Sequence, residues 1–471
     1  MSEEIARPVP KSPPDSKPHR LAKDAPYPEH LKVEKPPYRP RVMRVPVERF
    51  FKQEYHDLEV ERIWKKSWQF ACREEHIPEV GDHIVYEIAD LSYIVVRTAP
   101  DEIKAYPNAC LHRGRKLCDY DGKRAEEFRC MFHGFAWNID GSMKDMTCGW
   151  DFPGTREEVS RLPECQVGTW GGFVMINPDP DAEPLKSFLG ELPDHFEKVG
   201  LDLSKRWVQA HVCAEVKCNW KIAQEAFFEA WHSWATHPQM VRTPLDQFGG
   251  GNRWDDFGNW MRYAPALPTD QHRSPPGVFV IAEHPQEVVN YYYGWHLNEE
   301  PGVAVGEDES ADEVINQRVH DYFRSILGDE VDKFHPVLMR GGDMLSVFPN
   351  FHPWGGFSRI VYRFRPYKND PERSLMEVIL LQPLAEGQER PPPAPMHYLA
   401  PDDSLSNAIE LGHLGRLASQ DVANMEGVQQ GMKQLRRGYV MLSVHHDTPV
   451  RKFHDLYNKW MGLEDHPMDN P

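Results

Sequence analysis

Two short stretches constrain this chain more than any other. Cys110-x-His112 and Cys130-x-x-His133 stand seventeen residues apart. Each brings a soft thiolate and an imidazole together on a short piece of chain. Two thiolates and two imidazoles can hold one zinc tetrahedrally. They can equally hold a [2Fe–2S] cluster, with the cysteines on one iron and the histidines on the other. Cys-x-His is tight for a zinc knuckle. Gly114 and Gly134 follow the histidines closely, where backbone amides can approach bridging sulfides. Whichever metal is held, the fold has to clamp one object between two loops.

The 471 residues suffice for two or three domains, each with its own core. A net charge of -18 disfavours nucleic acid as a partner, because phosphate binding asks for a basic surface. The opening MSEEIARPVPKSPPDSKPHR holds no apolar core of signal-peptide length, and no run of about 18 apolar residues occurs. The expectation is a cytoplasmic protein with no membrane partner. All eight cysteines fall in the first half of the chain. A chain this long in a reducing compartment needs no disulfide staples, so clustered Cys and His point to metal.

Residues 1–46 are rich in Pro, Lys and Arg and lack a hydrophobic period, which predicts an extended tail. A helical pattern begins at Val47. Short β-rich runs bounded by turn residues occupy roughly 80–180, and residues 47–190 read as one domain. Residues 191–471 read as a second, mixed domain. It opens with a strand through RWVQAHVCAEVKCNW and a helix through KIAQEAFFEAWHSWATH. A Gly-rich, acidic section covers about 245–335. Strands then resume, and a long helix over about Ser404–Arg437 is stopped by Gly438.

The helix before His237 is anomalous. Glu225, Glu229 and His232 form a stripe at i, i+4 and i+7, which on most helices is a solvated face. His237 lies five residues after His232. On a regular helix the two imidazoles would diverge by about 140°, so convergence requires a bulge or unwinding. Pro238 favours that by pushing the residue before it out of the α region. In the C-terminal helix, Asp421 sits on the apolar stripe of Leu414, Leu417, Met425, Val428 and Met432. A buried lone carboxylate is expensive unless paired or metal-bound. Two His and one carboxylate form the facial triad of non-haem Fe(II) oxygenases. A rival pattern is the pair of Glu-x-x-His motifs at Glu229/His232 and Glu410/His413, which mark di-iron bundles but need two further helices with a Glu each.

The stretch NACLHRGRKLC…CMFHGFAWNIDGS resembles the Rieske domain of Rieske non-haem iron oxygenases, in particular their catalytic α subunits. EAFFEAWHSWATH and QDVANMEGVQQG resemble the iron-binding helix and the carboxylate-bearing segment of the same family. The resemblance implies an α+β chain: an all-β Rieske domain, then a helix-grip (START-like) catalytic domain whose antiparallel sheet is covered by helices. It implies Cys110 and Cys130 on one iron of the cluster, His112 and His133 on the other, and His232, His237 and Asp421 on a mononuclear Fe(II). Glu229 takes the place of an Asp that bridges the iron-ligand His to the cluster His of a neighbouring subunit. Glu225 stands where many relatives have Asn near the iron, and its role stays open. Cys118 is read as packing, and Cys72, Cys148, Cys165, Cys213 and Cys218 as buried small hydrophobes.

The same resemblance implies oxygen activation, with electrons drawn indirectly from NAD(P)H through a reductase or ferredoxin. It implies a head-to-tail homotrimer in which His133 approaches Glu229 and His232 of the next subunit, with room for a second subunit type. Arg113, Arg115, Lys116, Lys123 and Arg124 form a local basic patch that is either a docking face for an acidic ferredoxin or ordinary surface charge. Phe227, Phe228, Trp231 and Asn424 flank the metal segments and are candidates to line the substrate pocket. An aromatic lining suits a cyclic apolar substrate, dihydroxylated or monohydroxylated, or a quaternary ammonium or methoxy compound. Two other classes compete: an electron-transfer or redox-sensing protein that uses the cluster alone, and a zinc-stabilised binding module.

Overall fold

The computed structural model describes residues 42–198, 202–229, 232–237, 253–264, 286, 289, 304–307, 309, 311–334, 339, 344–385, 387–444 and 447–466. The tail read over residues 1–46 therefore lies outside the described residues except at its end. There Met43–Pro46 forms strand β1, with Met43 and Val45 buried in alternation. That period-2 burial in so short a run was hidden by the flanking Pro and Arg residues.

The N-terminal elements continue with helix α1 (Gln53–Glu59), extended by a π turn over Val60–Trp64, and strand β2 (Gln69–Arg73). Next come β3 (His83–Ile88), β4 (Leu91–Ala99), β5 (Glu102–Pro107), β6 (Glu127–Arg129), β7 (Ala136–Asn138), β8 (Met143–Asp145), β9 (Gln166–Trp170) and β10 (Phe173–Asn177). They pair as three antiparallel three-stranded sheets, β3-β4-β5, β6-β7-β8 and β2-β10-β9. Helices α2 (Leu185–Leu189) and α3 (Leu192–Lys198) lead into the second part.

That part contains β11 (Arg206–Val216), α4 (Trp220–Glu225), α5 (Ser233–Thr236), β12 (Arg253–Asp256), β13 (Trp260–Ala264), α6 (Ala311–Leu327), β14 (Met344–Val347), β15 (Phe351–Pro353), β16 (Ile360–Tyr367), β17 (Asp370–Pro383), β18 (His397–Tyr398), α7 (His413–Met432), β19 (Tyr439–Leu442) and α8 (Thr448–Met461). One sheet runs in the order β12-β13-β14-β15-β16-β17-β11-β18, antiparallel except at the β11–β18 edge. Helix α4 lies on β16 and β17, and α7 packs on α4. This is the expected α+β architecture, an antiparallel sheet covered by helices behind an all-β domain. No helix among the described residues is long and apolar enough to cross a membrane.

Two boundaries differ from the sequence reading. The helical segment that begins at Val47 was grouped with the cluster domain, but its contacts lie with the second part. β1 pairs antiparallel with β19, the Trp64 ring meets Trp220 at 4.8 Å, and Arg49 donates to Asn458 at 3.1 Å. The long C-terminal helix starts at His413 rather than Ser404. Two 3₁₀ turns, Leu405–Asn407 and Ile409–Leu411, precede it. They fold back so tightly that a Cβ on Gly415 would lie 2.6 Å from Leu405 O. On α7 the buried stripe includes Gln429, while Val428 is exposed.

Glu377 joins the two parts. It is fully buried on β17 and accepts from Arg363 Nη2 at 2.5 Å, Arg365 Nε at 2.8 Å and His211 Nε2 at 2.8 Å. The same arginines reach across the junction. Arg363 donates to Phe70 O at 2.6 Å and Ala71 O at 2.9 Å on β2, and Arg365 donates to Glu87 O on β3. Burial alone would raise the Glu377 pKa, but the two guanidiniums outweigh it and hold the carboxyl well below its ordinary 4.5. A depressed folded pKa gives stability that is complete above the unfolded value and lost as pH falls through the folded one. Glu377→Gln leaves two guanidiniums without their counter-charge, so it should cost about 3–5 kcal/mol at pH 7. Urea unfolding of both proteins should show that gap shrinking as pH is taken below 4.5.

Candidate metal centres

The two Cys/His loops have the same backbone. Cys110 N donates to Arg115 O at 2.8 Å and Gly114 N to Cys110 O at 2.9 Å. Cys130 N donates to Phe135 O at 2.8 Å and Gly134 N to Cys130 O at 2.9 Å. Both glycines have positive φ, 75° and 82°, which a side chain adopts only under strain. Within this shared loop the histidine falls at the second position after one cysteine and the third after the other. The His112 and His133 rings come to 4.7 Å. Cys110 and Cys130 are both buried. Backbone amides of His112 and Arg113 point at Cys110, and those of Phe132 and His133 at Cys130. Such bonds to sulfur tune the potential of a cluster. His112 stacks on Phe135 at 5.0 Å, and its Nδ1 is buried without a partner.

The other cysteines stay outside this set. Burial pushes the Cys118 thiol up to about 12, as packing requires, and Cys72, Cys165, Cys213 and Cys218 are buried. Cys148 departs from the expectation and is exposed. It precedes a 3₁₀ turn at Gly149–Asp151 with a left-handed φ of 55°, which turns it outward.

The second centre forms where a helix breaks. α4 ends at Glu225 and the chain turns through Ala226–Phe228, so Glu225, Glu229 and His232 do not share a helical stripe. His232 O then receives the amides of Ala235 and Thr236 at 3.0 and 2.8 Å. His232 thus precedes the single turn α5 and His237 follows it, which resolves the angular problem. Trp231 lies outside the described residues.

Each imidazole is aimed through its other nitrogen. His232 Nδ1 lies 2.8 Å from Glu229 Oε1, and Glu229 Oε2 accepts from His232 N at 3.0 Å. His237 Nδ1 lies 2.9 Å from Gln420 Oε1. Both Nε2 atoms are thereby turned toward Asp421, whose Oδ1 lies 3.4 Å from His232 Nε2 and 3.0 Å from His237 Nε2. The three ligand atoms lie within 4.8 Å of one another. Asp421 Oδ1 is buried and lacks a hydrogen bond to either ring. Burial opposes the charged form of His232, yet the Glu229 and Asp421 carboxylates raise its pKa to about 10. The same field attracts a metal cation. Orphaned buried ligand atoms at both centres, with imidazoles fixed from behind, fit a Cys₂His₂ cluster and a His₂-carboxylate iron.

Gln420 escaped the sequence reading, and its adjacency to Asp421 was the only hint of its role. Asn424 Nδ2 donates to Thr236 Oγ1 at 2.9 Å, so α7 grips α5 on both sides of Asp421. Phe227 is half-buried against Tyr362 and Phe364, at 4.6 and 5.2 Å. Phe228 is core, packed on His352 and Phe453. Glu225 Oε1 accepts from His454 Nε2 at 2.9 Å. The di-iron pattern does not assemble: Glu410 pairs with His397 at 2.5 Å and His413 is exposed. Three cations of the basic patch are locally compensated, with Arg115 on Asp119 at 2.6 Å, Lys116 on Glu87 at 2.5 Å and Lys123 on Asp82 at 3.3 Å, while Arg113 Nη2 lies 2.5 Å from His133 Nε2.

Known proteins resemble this chain. The family model for the Rieske [2Fe-2S] domain matches residues 67–151, and that for the ring hydroxylating alpha subunit (catalytic domain) matches residues 203–463. The biphenyl 2,3-dioxygenase subunit alpha of Rhodococcus jostii (strain RHA1) is 32% identical over 176 residues, 36% of this chain and 38% of that protein. The glycine betaine monooxygenase oxygenase subunit of Pseudomonas aeruginosa (strain UCBPP-PA14) is 27% identical over 206 residues, 43% of this chain and 45% of that one. These matches span less than half the length of the curated relatives. A quaternary ammonium Rieske monooxygenase in complex with L-carnitine superposes with a TM-score of 0.61 at 16% identity, covering 91% of this chain and all of that one. Naphthalene 1,2-dioxygenase with indole bound in its active site gives 0.60 at 18%, covering 91% and 94%. At these identities the structural likeness is one of fold. The catalytic-domain match alone takes in more than half of the residues, and with the cluster domain ahead of it the chain belongs to the Rieske-type ring-hydroxylating oxygenase alpha subunits.

Proposed function

We propose that this chain is the terminal component of a Rieske oxygenase that hydroxylates a small apolar substrate, an aromatic or polycyclic ring system. The reading rests on one observation: His232 Nε2, His237 Nε2 and Asp421 Oδ1 converge within 4.8 Å in a chain that also closes a Cys₂His₂ pair. When bound, the cluster supplies single electrons and the mononuclear iron a site for O2 beside the substrate. A reductase or ferredoxin is the electron donor. A cluster-only relay leaves His232, His237 and Asp421 without a purpose.

The chain's own residues orient and exclude. Glu229 fixes the His232 ring through Nδ1, and Gln420 does the same for His237. Phe227, Tyr362 and Phe364 form an aromatic wall near the ligand segment, suited to a planar apolar ring. The cluster loops carry exposed Met131 and Phe132, with Trp150 also exposed nearby in sequence, and His133 is half-exposed beside them. In a head-to-tail homotrimer this apolar rim would seat against a neighbouring subunit and bring His133 toward its Glu229.

A second reading, oxidation of a quaternary ammonium compound, is favoured by Glu229 in place of the usual Asp and by Asp447. The Asp447 carboxyl is raised by burial and by facing Glu229 and Glu225. Acidic groups beside aromatic faces suit a cation. A panel of arenes, polycyclic compounds and trimethylammonium compounds with a surrogate reductase decides between them. Product mass and uncoupled peroxide are the readouts, and the first reading expects oxygenated arene.

Protein purified anaerobically should carry about three irons and two labile sulfides per chain. Asp421→Ala should lose about one iron and keep the cluster's visible absorption. Zinc in place of iron would overturn the reading. Glu229→Gln should keep both centres and lower turnover by at least about 10- to 100-fold, and full turnover in that variant would remove the bridging role.

A further inference from the structure

Glu225 closes α4, the short helix from which the ligand-bearing segment hangs. Its partner His454 sits on α8, and the tautomer of that histidine is fixed from the far side. His454 Nδ1 lies 3.3 Å from Arg49 Nη1, which also sits 3.1 Å from Asn458 Oδ1. A guanidinium only donates, so His454 Nδ1 accepts and Nε2 carries the proton given to Glu225 Oε1 at 2.9 Å. Burial, with the Arg49 and Lys221 charges behind it, keeps His454 neutral.

The other end of α4 is pinned by Glu59. Its fully buried carboxylate accepts from Trp220 Nε1 at 2.7 Å, from Tyr457 OH at 2.8 Å and from Lys221 Nζ. A six-residue helix cannot hold its own position, since isolated helices this short are unstable. Four residues beyond Glu225 the chain presents Glu229 and then His232.

We infer that Glu225 is a positioning residue for the iron-ligand segment, acting as a hydrogen-bond acceptor for His454 rather than as an iron ligand. The inference rests on reading His232, His237 and Asp421 as the iron ligands. It makes the Arg49–His454–Glu225 line the device that sets where α4 ends and the ligand turn begins. Gln keeps an oxygen for His454 while Met does not, so the two substitutions separate loss of the acceptor from loss of the carboxyl group.

The test uses the full-length holoprotein and the rate at which a ferrous chelator removes the mononuclear iron, with cluster absorption and far-UV circular dichroism as folding controls. Glu225→Met keeps the bulk and removes the acceptor, and it should release iron about 10- to 100-fold faster than wild type. Glu225→Gln should stay near the wild-type rate. His454→Phe should match Glu225→Met, and the double variant should be no faster than either single one, because both break the same contact. Release from Glu225→Gln as fast as from Glu225→Met, or additive effects in the double variant, would overturn the inference. So would wild-type release from Glu225→Met. If Glu225→Met fails to fold, His454→Phe against Glu225→Gln carries the comparison: the first should release iron fast and the second near the wild-type rate, and wild-type release from His454→Phe or fast release from Glu225→Gln overturns the inference. A wild-type protein with no chelatable third iron would instead remove the ligand reading itself.

Discussion

A buried carboxylate whose Oδ1 finds no hydrogen bond organises the catalytic half of this molecule. Asp421 lies on the apolar face of α7 among Leu414, Leu417 and Met425. Burying an unpaired charge costs several kcal/mol, so the surrounding chain has to supply positive charge or metal. Two imidazoles come to it from a segment that no regular helix could provide. The break after Glu225, the single turn of α5 and the exit before Pro238 are the backbone consequences. Glu229 and Gln420 are the side-chain consequences, because an imidazole that offers Nε2 to a metal has to have Nδ1 occupied. Remove Asp421 and none of these departures from regular structure has a reason.

What could be read in the sequence was what is local in it. Cys110, His112, Cys130 and His133 announce themselves by spacing, and their loops close through bonds that span only a few residues. Asp421 stood out because a charge interrupted an apolar period, and His232/His237 because their spacing was wrong for a helix. The groups that hold those ligands were illegible. Arg49 meets His454 across 405 positions and Glu59 meets Tyr457 across 398. Glu377 binds a histidine 166 residues away. No period or motif encodes such pairs. Element ends failed for a related reason. The long helix does not run from Ser404 because the chain breaks at Gly412, with a φ of 54°, and the Leu405 carbonyl then folds back onto Gly415. The grouping of α1 with the cluster domain followed chain order, whereas packing follows the apolar faces of Trp64 and Trp220.

The cluster domain is fixed to the catalytic sheet by charges rather than by apolar surface alone. Glu377, Arg363 and Arg365 are all buried, and the arginines end on backbone carbonyls of β2 and β3. A second set repeats the idea, with Arg73 donating to Gly171 O, Leu203 O and Arg206 O. Guanidinium groups bound to carbonyls tolerate little rotation, since each bond is directional. An apolar interface of the same size would slide more easily. The domain that carries the cluster loops is therefore held in a set direction relative to the sheet.

The two centres are supported in opposite ways. Each cluster loop is closed by its own backbone, through bonds from Cys110 N to Arg115 O and from Cys130 N to Phe135 O. The iron segment has no such closure. Its histidines are placed by α7, by Glu229 and by a helix clamped at both ends, and those clamps come from the N-terminal turn and the C-terminal helix. Arg49, Glu59 and His454 thus connect distant parts of the chain to the helix that precedes His232 and His237. Phe227 carries the same linkage to the sheet, because it follows the short helix and packs on Tyr362 and Phe364 of β16.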